Sequence, residues 1–196
     1  MKKIEIFILV TLALLLANCA STRTTQFYTL SPSLTGIGAT STNISVSVGP
    51  ISIPDDVDRP QIVVRTGPNQ VLLAEFDRWA SPLKSNIARV TAENLSAMLG
   101  TAQVSVFPQS FAAEAAYRVG IDVIRFESEL GKGVVLDVLW TVSSRKSGQT
   151  QSRRAAMTEK VQRQGYAEVV AAHSRALGRL SSEITEAIRV LEAEKP

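Results

Sequence analysis

Residues 53–65 read IPDDVDRPQIVVR and place Asp55, Asp56, Asp58 and Arg59 within five positions, just ahead of an apolar strand. Clustered carboxylates do two kinds of chemistry: general acid–base catalysis, and ligation of a hard cation through oxygen. A calcium loop of the EF-hand type needs acids at positions one, three and five, glycine at six and glutamate at twelve. Counted from Asp56, position six is Gln61 and position twelve is Gly67, so that loop is not encoded. A weaker cation pair at Asp56 and Asp58, a pair of catalytic acids, and a purely structural turn all stay open. The turn is the plainest reading, because Asp58 can bond its own backbone and Pro60 drives Arg59 toward an extended conformation.

Little else in the chain can work with those acids. The single histidine, His173, lies inside a helical apolar stripe and reads as a core or interface residue. One cysteine and one histidine cannot assemble a structural zinc site. There is no G-x-S-x-G elbow to expose a nucleophilic serine, and no phosphate-cradling glycine loop. The expectation is a protein with no catalytic residues, no metal and no cofactor.

The elements that position these residues follow from hydrophobic period. Phe27–Leu30 is a short strand, and residues 31–43 form a Ser/Thr/Gly linker. Ile44, Val46 and Val48 alternate with serines, and Gly49-Pro50 then interrupts the strand, predicting a bulge or an edge. Ile62–Arg65 and Val71–Ala74 flank Thr66-Gly67-Pro68-Asn69, a hairpin turn. Residues 82–99 have helical spacing, with Ser81 as N-cap, Pro82 at N1 and Gly100 as the stop. A short strand, 104–107, and a connector, 111–116, come next. Strands 117–130 and 134–145 join at Gly131-Lys132-Gly133, with a phase change at Val123/Ile124 that predicts a bulge. The polar strand 151–162 suits a sheet edge. Tyr166, Val170, His173, Leu177, Leu180, Ile184, Ile188 and Leu191 then line one face of a long helix, with room for the core and for a neighbouring copy. The expected fold is α+β: an antiparallel or mixed sheet with two main helices on one face.

Bulk properties narrow the class. The chain has 196 residues, 45% of them hydrophobic, enough for one domain with a real core. The formal charge is only +3, and beyond residue 18 there remain 19 basic against 17 acidic residues, which argues against nucleic acid as a partner. Residues 1–19 read MKKIEIFILVTLALLLANC: a basic start, then an apolar run of twelve residues from Ile6 to Ala17, broken only by Thr11. A bilayer-spanning helix needs about 20, so this is an export signal rather than a span. Leu16-Ala17-Asn18-Cys19 resembles the lipobox of bacterial lipoproteins, although Asn18 replaces the usual Gly or Ala. That resemblance implies cleavage before Cys19 and acylation of Cys19, and it divides the chain into a signal peptide (1–18), an acylated tether (19–26) and one domain (27–196). Ala20 at the second mature position, rather than aspartate, favours the outer membrane.

Three segments in order carry a further resemblance: Phe27-Tyr28-Thr29-Leu30, then VGPISIPDDVDRPQIVVR, then LLAEFDRWASPL leading into a helix. Together they resemble the ABC-type transport auxiliary lipoproteins of the PqiC-like (YmbA-like) family, across essentially the whole mature chain. One departure is Asp56-Val57, where the family often has Tyr-Leu. The resemblance implies a periplasm-facing, outer-membrane-anchored auxiliary subunit. Its partners would be an MCE-domain substrate-binding protein and that protein's membrane permease or integral-membrane component, in moving lipids or other apolar molecules between membranes. A homo-oligomer is expected. Candidate structural or partner-facing residues are Asp58, Arg59, Pro60, Arg65, Phe76 and Trp79; Arg65 is expected to pair with Asp58, and Asp77, Arg78 and Arg59 either form charge pairs that fix the loop or face a partner. The alternatives are a lipoprotein of outer-membrane assembly or lipopolysaccharide export, and a periplasmic hydrolase using the carboxylates.

Overall fold

Val134, Leu136, Val138, Trp140 and Val142 alternate along one strand and form the centre of the main sheet. A computed structural model describes residues 23–33, 42–108 and 114–194. The signal segment, Cys19 with the first tether residues, most of the 31–43 linker and part of the 111–116 connector lie outside the described residues. The elements are β1 (Gln26–Tyr28), β2 (Val46–Ser52), β3 (Gln61–Gly67), β4 (Gln70–Trp79), α1 (Leu83–Leu99), β5 (Val104–Val106), β6 (Tyr117–Glu129), β7 (Gly133–Ser144), β8 (Thr150–Lys160) and α2 (Tyr166–Ala193).

The α+β class holds, with the strands divided between two mixed sheets. One has the order β5-β2-β6-β7-β8 and the other β1-β4-β3. In the larger sheet β2 runs parallel to both β5 and β6, while β6, β7 and β8 form an antiparallel meander. Register shifts fall between Val48 and Ile51, around Gly49-Pro50, and between Val123 and Arg125, the two places where the sequence breaks phase. The polar strand β8 is the sheet's edge, as expected. Arg175 and Arg179 of α2 reach over it, bonding the Lys160 and Thr158 carbonyls at 2.8 and 3.3 Å, so part of the exposed ladder is already occupied.

Both helices lie on the inner face of this sheet, α1 over β2 and β5, α2 over β6, β7 and β8. One continuous apolar core runs from Leu30 to Leu191. The α2 stripe from Val170 to Leu191 is wholly buried inside the chain, so no part of it is left for a neighbouring copy. The helix stop at Gly100 is observed, in the left-handed conformation that glycine takes readily. The start is one residue later than expected: Pro82 is the N-cap, without a side-chain cap, and α1 begins at Leu83. Ser81 lies one residue outside the cap, and its carbonyl accepts Asn86 Nδ2 at 3.1 Å. No helix among the described residues is long and apolar enough to cross a membrane.

Candidate functional site

The acidic loop is a turn wound around its own backbone. The Pro54 carbonyl accepts from the Val57 and Asp58 N–H groups at 3.1 and 3.2 Å, which lowers Val57 into the core and leaves Asp55 and Asp56 exposed. Asp58 receives Lys84 Nζ of α1 at 3.2 Å. Both partners are more than 40% exposed, so the pair adds about 0–1 kcal/mol. The Pro60 carbonyl accepts the Trp79 N–H at 2.7 Å and fastens the loop to the end of β4. Arg59 is half-buried and its Nε has no hydrogen-bond partner. Among the described residues no three His, Cys, Asp or Glu side chains converge as a metal site.

The charge pairings differ from those the spacing suggested. Arg65 bonds Glu127 of β6 at 2.9 Å and the Pro68 carbonyl at 2.7 Å, not Asp58. The hairpin directs it toward β6, while Asp58 sits at the opposite end of β3, over α1. Asp77 is buried and accepts the Tyr28 hydroxyl at 2.8 Å; Arg78 donates to the Glu75 carbonyl at 3.0 Å. Neither pairs with Arg59. Burial and the Asp77 carboxylate together push the Tyr28 hydroxyl up to about 12.

Trp79 begins a chain of rings through the core. It meets Phe126 edge-on at 6.2 Å, and Phe126 stacks on His173 at 3.7 Å with 8° between planes. His173 Nε2 and Ser128 Oγ share a hydrogen bond of 2.8 Å. That is the spacing of a nucleophile and its base; His173 is fully buried, and Ser128 is buried beside an open recess lined by Arg65, Glu127 and Lys132. Burial pulls the His173 pKa down to about 3, so the ring is neutral at physiological pH. The arrangement ties β4, β6 and α2 together.

Residues 31–33, the described start of the segment read as a linker, continue Thr29 and Leu30 as a strap in the groove between the helices. Leu30 is fully buried. Thr29 Oγ1 donates to Asn86 Oδ1 at 2.8 Å, and Arg89 donates to the Leu30 carbonyl at 2.6 Å. The Ser31 and Ser33 N–H groups donate to Ser174 Oγ at 3.1 Å and Asn94 Oδ1 at 2.9 Å. Asn94 Nδ2 continues to Ser181 Oγ at 3.3 Å. Polar residues in the helical stripes thus satisfy a third chain segment as well as each other. Their signal in the sequence was asparagine and serine at core-facing positions, together with Gly178 in mid-helix.

Two surface features complete the molecule. On the outer face of the large sheet, Asp137 is almost fully covered by Arg154 and Arg125, at 2.9 and 3.1 Å. The hydrogen bond from Arg154, then that from Arg125, holds the Asp137 carboxyl below its ordinary range. On the small sheet, Phe76 falls where Ala74 pairs with Ile62 but Arg78 pairs with Gln61, a bulge that leaves residues 75–77 unpaired with β3. Trp79, by contrast, is core.

A family model described as "ABC-type transport auxiliary lipoprotein component" matches residues 28–185. Two crystal structures share the fold. One, of an uncharacterized protein, is 23% identical with a TM-score of 0.70, covering 85% of this chain and 99% of the other. The second, protein XCC0632 from Xanthomonas campestris (DUF330), is 20% identical with a TM-score of 0.64, covering 82% and 92%. No curated protein matches the chain.

Proposed function

Since the chain belongs to the family of ABC-type transport auxiliary lipoprotein components, we propose that it is the docking subunit of an MCE/ABC-type system and carries out no chemistry of its own. Residues 1–18 are removed, Cys19 is acylated, and 19–26 tether the 27–196 domain to the inner leaflet of the outer membrane, facing the periplasm. Its partner is an MCE-domain substrate-binding protein and, through it, the permease or another integral-membrane component. Together they move lipids or other apolar molecules between membranes and support envelope integrity. The subunit works as a homo-oligomer.

The family match across 28–185 carries this reading, because it spans the strap, the acidic loop, the hairpin and most of both helices. The geometry agrees. Of the loop's acids, Asp58 forms one exposed ion pair while Asp55 and Asp56 face solvent, and the apolar core from Leu30 to Leu191 is packed side chain on side chain. The test is crosslinking in intact cells followed by affinity purification. Recovery of an MCE-domain protein is expected; its absence under conditions that capture other envelope complexes sinks the proposal.

A further inference from the structure

β1 lies parallel to β4 with Phe27 opposite Arg78 and Tyr28 opposite Trp79. Alternation along both strands gives this small sheet two unlike faces. Tyr28, Asp77 and Trp79 turn inward, joined by the Tyr28–Asp77 hydrogen bond. Phe27, Phe76 and Arg78 turn outward. Phe27 is 65% exposed and Phe76 is 40% exposed, and the Arg23 guanidinium lies 5.9 Å over the Phe76 ring. The bulge at residues 75–77 is what presents Phe76 there. Two aromatic rings and two guanidinium groups therefore share one open patch, where the Glu75 carboxylate stands 3.9 Å from Arg78.

We infer that this patch seats on the phospholipid headgroup surface of the leaflet that holds the lipid anchor. The inference rests on the acylation of Cys19 proposed above. Cys19 stands four residues before Arg23. A fully extended chain spans at most about 3.6 Å per residue, so the Arg23 backbone lies within about 14 Å of the anchor. A patch on so short a leash faces the bilayer before it faces anything else. Its chemistry matches that surface: aromatic rings settle at the boundary between headgroups and acyl chains, and guanidinium groups take phosphate oxygens in bidentate hydrogen bonds. The other exposed apolar residues, such as Leu139 on the outer face of the large sheet, have no comparable connection to Cys19.

Acylation consumes the only thiol of the chain, so a nitroxide attaches only where a cysteine is introduced. Acylated protein carrying Phe27→Cys, Phe76→Cys or Leu139→Cys is labelled, then reconstituted in vesicles of phosphatidylethanolamine and phosphatidylglycerol. Collision with oxygen is compared with collision with a water-soluble nickel chelate. At 27 and 76 the oxygen-to-nickel ratio is expected to exceed that at 139 at least fivefold. Equal ratios on protein that floats with the vesicles overturn the inference and leave acylation standing. Shielding from both agents, present already in detergent, means that a second copy covers the patch and also overturns it. Protein that fails to float and takes label at Cys19 refutes the anchor itself, and the inference with it.

Discussion

Gly178 offers the sharpest test of the strap. In an ordinary mid-helix position, Gly→Ala gains about 1 kcal/mol of helix propensity. Here a Cβ at 178 would stand 2.1 Å from Ser33 Oγ and 2.6 Å from Ser33 Cβ, so the strap must lift. Lifting weakens three hydrogen bonds: Ser33 N–H to Asn94 at 2.9 Å, Ser33 Oγ to the Ser174 carbonyl at 3.2 Å, and Ser31 N–H to Ser174 Oγ at 3.1 Å. Each contributes about 1 kcal/mol, and the Asn94 acceptor left buried without a partner costs about 1–3 kcal/mol more. After the propensity gain is subtracted, Gly178→Ala is expected to destabilise the domain by about 3–5 kcal/mol. Urea unfolding followed by circular dichroism measures this as a lowered midpoint at unchanged slope. Ser33→Gly removes both clashing atoms, so the double variant should recover most of the loss. A Gly178→Ala protein as stable as the parent, or more so, refutes the strap's packing.

Other expectations follow from single sites. A neutral buried His173 means that the unfolded chain takes up a proton near pH 6.5 while the folded one resists until about 3; stability therefore falls as pH drops through that window, by about 2 kcal/mol between pH 7 and 5. In His173→Gln that part of the slope should vanish, and an unchanged pH profile would contradict the assignment. Trp79→Ala should cost about 3–5 kcal/mol in chemical denaturation, since the ring is core; a loss under 1 kcal/mol would place it at a surface. Cys19→Ala should abolish labelling by a clickable fatty acid, and persistent labelling would disprove the lipobox. Replacing Asp55, Asp56 and Asp58 together by Asn should change melting by only a few degrees and leave partner capture intact, because Asp58 contributes one exposed ion pair.

Much of the fold was legible because period-2 and helical patterns are local. Both helices, the hairpin turn, the two bulges and the edge strand all announce themselves within a dozen residues. Two things were not local. The division into two sheets depends on β1 choosing β4 as a parallel partner, a pairing about fifty residues apart that no spacing reveals. The strap depends on Asn86, Asn94 and Ser174 being read as partners for a distant backbone, whereas within each helix they look like interruptions of an apolar stripe. In the loop at 53–65 the ion pairs differ from those the spacing suggests. Which arginine meets which acid was set by where the hairpin points: Arg65 went to Glu127, and Asp58 went to Lys84.

The strap also has a mechanical meaning. Any pull applied to the chain ahead of Gln26 reaches the body of the protein through β1 and then through residues 29–33. β1 is held by its ladder to β4 and by the Tyr28–Asp77 bond; the strap is held by Leu30 in the core and by contacts to both helices. These attachments lie one after another along the chain. Load that loosens β1 is therefore passed to the interhelical groove before anything else in the domain moves. Tension on the chain ahead of Gln26 would be felt first at β1 and next at the seam where the two helices meet.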